Sequence, residues 1–107
     1  MADAFLAELE VLVMAAVYRL DGEAYGVSIA REIATRARRE VSLGSVYATL
    51  SRLAEKGFVI FTESAPLPVR GGRSRRFARV TPAGLRALRV STSAIERMIA
   101  DLALLGR

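Results

Sequence analysis

Ser42-Leu-Gly-Ser-Val-Tyr-Ala-Thr-Leu-Ser-Arg-Leu-Ala-Glu-Lys56, then Gly57, Phe58-Val-Ile-Phe-Thr62 and Arg70-Gly-Gly-Arg-Ser-Arg-Arg-Phe-Ala-Arg79: this order decides the reading of the chain. Ser42 is a good N-cap, and Leu43, Val46, Leu50 and Leu53 recur at helical spacing, which predicts a helix with those four residues inward. The opposite face is Gly44, Ala48, Ser51 and Glu55, with Ser45, Tyr47, Thr49, Arg52 and Lys56 along the flanks. Small residues on an outward face let a helix approach another surface closely. Read alone, the same helix is equally an ordinary surface helix.

Gly57 stops the helix, and Phe58 to Thr62 is a β-branched and aromatic run that predicts a strand. Phe77 to Thr81 is placed to return antiparallel to it. Pro66, Pro68, Gly71 and Gly72 make the connection a long loop and not a tight hairpin. Within Arg70 to Arg79 there are five arginines and no acid, with two glycines able to take positive φ and bring backbone close to a phosphate. A charge run by itself is more often a solvated loop. Following a helix and a strand, it reads as the basic flap of a DNA-binding unit.

Upstream, Phe5, Leu9, Leu12, Val13, Ala16 and Leu20 recur at helical spacing, with Asp3 as cap and Glu8 and Glu10 expected outward. Asp21 to Gly26 supplies a turn, and Ile29, Ala30, Ile33, Ala34 and Ala37 predict a second helix over about Val27 to Arg38. Downstream, Thr81-Pro82 is a strong helix start, and the last helix is expected to run to the chain end. It carries Leu88, Ser91, Ile95, Met98, Leu102 and Leu105 at alternating steps of three and four, a heptad-like seam with one polar member. Packing on its own domain would absorb such a stripe. In a chain of 107 residues with a modest core, pairing with a second copy is the favoured use, through Leu88, Ile95, Met98, Leu102 and Leu105.

The predicted fold class is mainly α with a small β-hairpin (α+β). It is a winged helix-turn-helix over residues 1–80, followed by a dimerisation helix over 81–107, in one compact unit.

Composition narrows the function. The net charge of +5 is uneven: residues 1–32 hold two arginines against six acids, and residues 33–107 hold fourteen basic residues against five acids. Fifteen of the sixteen cations are arginine, whose planar fork suits phosphates and guanine edges, although a GC-rich gene would also raise arginine. Cysteine and histidine are absent, which removes disulfides, the nitrogen and sulfur ligands of zinc sites and the usual nucleophile–base pairs. No catalytic residue, metal site or cofactor is expected. The longest apolar run, Val11 to Val17, is too short for a bilayer, and no basic leader precedes it, so a cytoplasmic location is expected.

Four pieces of the chain match one family in order and spacing. They are Gly22-Glu-Ala-Tyr-Gly-Val-Ser-Ile29, Val41-Ser-Leu-Gly-Ser-Val-Tyr-Ala-Thr-Leu-Ser-Arg-Leu53, Glu55-Lys-Gly-Phe-Val59 and Gly72-Arg-Ser-Arg-Arg-Phe-Ala-Arg-Val-Thr-Pro-Ala-Gly84. The chain resembles the PadR-type transcriptional regulators in their short form, with a single C-terminal helix. The resemblance implies a homodimer that represses transcription from a palindromic operator and is often released by a small hydrophobic effector near the dimer interface. Tyr47 matches the tyrosine that contacts DNA backbone in such proteins. Ala78 stands where a second aromatic is common and Leu43 where proline is frequent, so the packing of the flap and the start of the third helix are expected to differ. The chain has no tryptophan, so the ligand-stacking tryptophan of some members is missing.

The expectation is therefore that double-stranded DNA meets Ser42, Ser45, Tyr47, Arg52 and Lys56 on the third helix and Arg70, Arg73, Arg75 and Arg76 on the flap. Phosphate contacts would set the register and base edges the sequence preference. The rival is a winged-helix adaptor that docks an acidic protein surface, which would show no salt-sensitive binding to double-stranded DNA. The sequence leaves open the operator, the regulated genes, any effector, and repression against activation.

Overall fold

The computed structural model describes residues 5–63 and 76–102. Three helices, α1 (Glu8–Leu20), α2 (Gly26–Ala37) and α3 (Leu43–Glu55), are followed by strands β1 (Val59–Glu63) and β2 (Arg76–Val80) and by helix α4 (Pro82–Ile99). The strands pair antiparallel, Val59 opposite Val80 and Glu63 opposite Arg76. A single bridge from Ala24 to Ala78, with the Ala78 amide donating to the Ala24 carbonyl at 2.8 Å, ties the α1–α2 turn to the hairpin. This is the winged helix-turn-helix expected from the sequence, with each strand displaced by one residue.

Each helix starts where a side chain can meet an otherwise unpaired amide. Ser42 Oγ accepts from the Ser45 amide at 3.0 Å. Thr81 Oγ1 accepts from the Gly84 amide at 3.0 Å and donates to the Gly57 carbonyl at 2.7 Å, so the same residue starts α4 and anchors it to the turn before β1. The Tyr25 amide donates to Ser28 Oγ at 2.9 Å at the head of α2. Asp3, the expected cap of α1, lies outside the described residues; that helix begins at Glu8. Gly57, at φ 80°, makes the turn from α3 into β1 that a residue with a Cβ resists.

The core lies among α1, α2 and α3 and is closed by the hairpin: Met14, Val17, Ile29, Val46, Leu53, Val59 and Ala78 are all buried. Each large aliphatic side chain removed from water contributes roughly 1.5–3 kcal/mol before entropy is subtracted. On α3 the buried stripe is Val46, Thr49, Leu50 and Leu53. Leu43, expected inward, is exposed: it is the first residue of the helix, and the buried stripe begins only at Val46. Thr49, expected on a flank, is fully buried, its hydroxyl taken by Arg52 at 3.2 Å.

Glu10 is the main correction. Expected to point outward, it is buried, accepting from the Ala7 amide at 2.8 Å and from Lys56 Nζ at 2.9 Å, with Arg52 Nε 4.0 Å away. Burial raises its carboxyl pKa, but the Ala7 amide, the Lys56 ammonium and the Arg52 charge outweigh this and hold it below the ordinary glutamate range. The unfolded carboxyl titrates near 4.5 and the folded one lower, so the stabilisation is complete above that range and lost as pH falls through the folded pKa. Glu10→Gln should therefore cost about 1–3 kcal/mol at pH 7, since a charge-assisted contact goes and Lys56 retreats to solvent. Thermal melts should show the gap to the parent protein narrowing as pH falls below the unfolded carboxyl range and through the lower folded pKa; an unchanged gap would rule the carboxylate out as its source.

Helix α4 packs its first half on α1. Ser91, in the predicted seam, is buried: it accepts from the Leu6 amide at 2.8 Å and donates to the Ala87 carbonyl. Leu88 is half-buried against the core. The expectation of a helix to the chain end is corrected, because it stops at Ile99, where Ala100 turns extended and Asp101 left-handed at φ 66°. Ile95, Met98, Ile99 and Leu102 remain exposed. Leu105 lies outside the described residues.

Candidate nucleic-acid interface

The outward face of α3 is built from small and hydroxyl side chains, and Ser42 to Ser51 holds no charged residue. No carboxylate on that stretch repels a polyanion, and its only large exposed side chains are Leu43 and Tyr47. Ser42 is committed to the helix: its oxygen caps the Ser45 amide and its proton goes to Ser45 Oγ at 3.0 Å. The Ser45 hydroxyl proton is thereby left for an outside acceptor.

Tyr47 is half-exposed, at 52 %. Its ring and hydroxyl lie directly over Gly26, the first residue of α2, where even a methyl group would collide with them. The phenol is thus seated on backbone. Tyr47 and Ser51 line an open cleft of about 250 Å³ together with Gly26, Leu50, Phe61 and Arg76. Helix α3, the head of α2 and the base of the hairpin meet there.

Arg76 reaches that cleft because strand register places it there. Phe61 pairs with Ala78, so residue 76 is its diagonal neighbour on the same face of the sheet. The Arg76 guanidinium lies 4.1 Å from the Phe61 ring centroid, a cation–π contact that restrains it in front of the cleft. Ala78, a departure from the expected aromatic, packs against Ala24 in the core, while Phe77 meets Tyr25 edge-on with centroids 5.8 Å apart.

Among the expected contact residues, Ser42, Ser45, Tyr47, Arg52, Lys56 and Arg76 are exposed, and Tyr47 and Arg76 share the cleft. Arg52 and Lys56 sit at the carboxyl end of α3 and are drawn to Glu10. Arg70, Arg73 and Arg75 lie outside the described residues. Sequence reading missed Gly26, Phe61 and Glu10. Hairpin register could have found Phe61; Gly26 is fixed by Tyr47 and Glu10 is held by Lys56 as well as by the nearby Ala7 amide, and neither Tyr47 nor Lys56 is a near neighbour in the chain.

Among the described residues no three acidic side chains gather as a metal site, and no helix is long and apolar enough to cross a membrane. The family model described as "Transcriptional regulator PadR-like family" matches residues 13–90, from the core of α1 through the cleft to α4. The chain belongs to the PadR-like family. This is a family of transcriptional regulators, not of enzymes. The PadR-like chain is 34 % identical over 82 residues to the transcriptional regulator Rv3488 of Mycobacterium tuberculosis, covering 77 % of this chain and 72 % of that one. A transcriptional regulator from Clostridium thermocellum shares the fold at TM-score 0.73 and 15 % identity, covering 92 % of this chain and 90 % of that one. Bacillus subtilis PadR, solved in complex with operator DNA, superposes at TM-score 0.64 and 16 % identity, over 78 % of this chain and 45 % of that one.

Proposed function

We propose that this PadR-like protein is a sequence-specific DNA-binding repressor that acts as a homodimer on a palindromic operator. The observation that carries the reading is the cleft in which Tyr47 and Ser51 of α3 stand beside Arg76 of the hairpin, on a helix face without acids. Helix α3 enters a major groove, Ser45 and Ser51 approach base edges, and Tyr47 and Arg76 donate to phosphates. Arg70, Arg73 and Arg75 add backbone or minor-groove contacts from the flap. Arg52 and Lys56 contribute charge near the carboxyl end of the helix while held by Glu10. The exposed end of α4 pairs two copies and sets the half-site spacing, and any small hydrophobic effector acts near that pairing. The protein works in the cytoplasm, where its DNA is.

Selection of bound fragments from random or genomic DNA is the direct test. A palindrome with half-sites centred about one helical turn apart, roughly 10 base pairs, is expected. Failure to retain double-stranded DNA at any salt concentration would favour the adaptor reading. On the selected site, Tyr47→Phe should bind about tenfold more weakly, the cost of one hydrogen bond to a charged acceptor, while melting like the parent protein. Unchanged affinity would reduce Tyr47 to a packing residue.

A further inference from the structure

The turn between α2 and α3 carries a cation in a backbone conformation that does not favour it. Arg38 ends α2 in the left-handed region, at φ 55° and ψ 45°. Glycine takes that position without steric cost, and Asp or Asn eases it with a short polar side chain, but arginine has neither advantage. Three arginines crowd the turn. Arg36 is held by Glu32 at 2.6 Å and Arg39 by Glu8 at 2.8 Å. Of the three, only Arg38 has no carboxylate partner among the described residues, and it is exposed, as are residues 35–40 and 42–45. The negative end of the α2 dipole would account for a cation here, but Arg36 already serves it. Glu40 lowers the charge of the turn without pairing to Arg38.

Position matters as much as charge. Arg38 stands four residues before the Ser42 cap, within about 14 Å of it even for an extended chain. Arg76 lies beside Tyr47 and Ser51, about 7–13 Å further along the helix axis at 1.5 Å per residue. Arg38 stands at the carboxyl end of α2 just before the head of α3, and Arg76 stands in the cleft with Gly26 at the amino end of α2, so the two cations serve different parts of the face that α3 presents. We infer that Arg38 is a second backbone anchor, gripping a phosphate near the amino end of α3 that is separate from the one met by Arg76. The inference rests on α3 being the helix that enters the groove. It accounts for an arginine where a glycine would be more stable, since strained backbone persists where function requires the side chain.

Stability and binding should then move in opposite directions. Arg38→Gly should melt about 2–5 °C higher, relieved of the left-handed strain. On the selected operator it should bind about fivefold or more weakly near 0.1 M salt. Its slope of log affinity against log salt should be shallower by about 0.9 for each bound protomer, one counterion fewer released. Arg38→Asn, which tolerates the same backbone, should lose the same slope, and Arg38→Lys should keep it. Arg36→Ala, with a side chain that faces the α1–α2 cleft beside Arg19, should leave the slope unchanged. Wild-type affinity and slope in the Gly and Asn variants would overturn the anchor and leave Arg38 a helix cap, and so would an equal loss in the Lys variant. If the parent protein itself shows no salt-dependent binding to DNA, the reading of α3 has failed, and the anchor with it.

Discussion

Gly84→Ala is expected to cost the domain about 3 kcal/mol or more and to lower its melting temperature by about 10 °C or more. Gly84 is buried in the first turn of α4, and a methyl group there would land on the Phe58 carbonyl oxygen and lie 2.9 Å from Met14 Cε. The Met14 methyl could swing away; the Phe58 carbonyl cannot. It already accepts from the Thr81 amide at 3.0 Å, while Thr81 Oγ1 donates to Gly57 beside it. Backbone is therefore pressed against backbone from two sides, and α4 would have to lift from the hairpin. A loss of this size is a large share of the roughly 5–15 kcal/mol available to a small domain. Urea melts check it through a shift in midpoint at unchanged m value. Gly44→Ala supplies the contrast: that site is open, its nearest neighbour Ser42 Oγ 3.9 Å away, so the exposed helix position should gain about 0.5–1 kcal/mol. A Gly84→Ala protein as stable as the parent would mean that this packing is not a constraint.

The second large effect is expected at the end of α4. Ile95→Glu should yield monomers by light scattering and weaken operator binding about 100-fold, because each half-site must then be bound without the effective concentration of a linked partner. Ile95 is 52 % and Met98 78 % exposed, so the substitution spares the domain's own core, and helix content should not change. The same change at Ser91 would be uninformative, since that residue holds the Leu6 amide inside the fold. A monomeric Ile95→Glu protein with undiminished affinity would remove α4 from DNA recognition. A dimer that survives the substitution would place the pairing elsewhere.

The parts of this fold legible in the sequence are those set by near neighbours. Ser42 and Thr81 announce their helices because the amides they cap are three residues away, and Gly57 announces a turn because its backbone demands it. The exposure of Tyr47 was legible through its place on the flank of the helix. What stayed hidden depends on contacts across the chain. Glu10 looks like any outward acid in the first turn of a helix; its bond from the Ala7 amide is local, but Lys56, 46 residues on, takes its other oxygen. Thr49 and Leu43 trade places because burial on α3 follows the position of α1 and α2, not residue hydrophobicity alone. The seam of α4 is regular from Leu88 to Met98, yet its first half is consumed by the domain itself. Periodicity shows that a stripe is apolar, not which molecule covers it. Gly84 stood in a motif with no local reason to be glycine, and the reason lies in the carbonyl of Phe58, just before β1.

Helix α3 divides its labour cleanly by side. Val46, Thr49, Leu50 and Leu53 lock it into the bundle, and Gly44, Ser45, Ala48 and Ser51 touch no part of that lock. The outer four can therefore be exchanged in combination with little effect on folding. If α3 reads DNA as proposed, the scaffold lends itself to retargeting, in which a library varied at those positions is sorted directly for new operators with Tyr47 and Arg76 left in place.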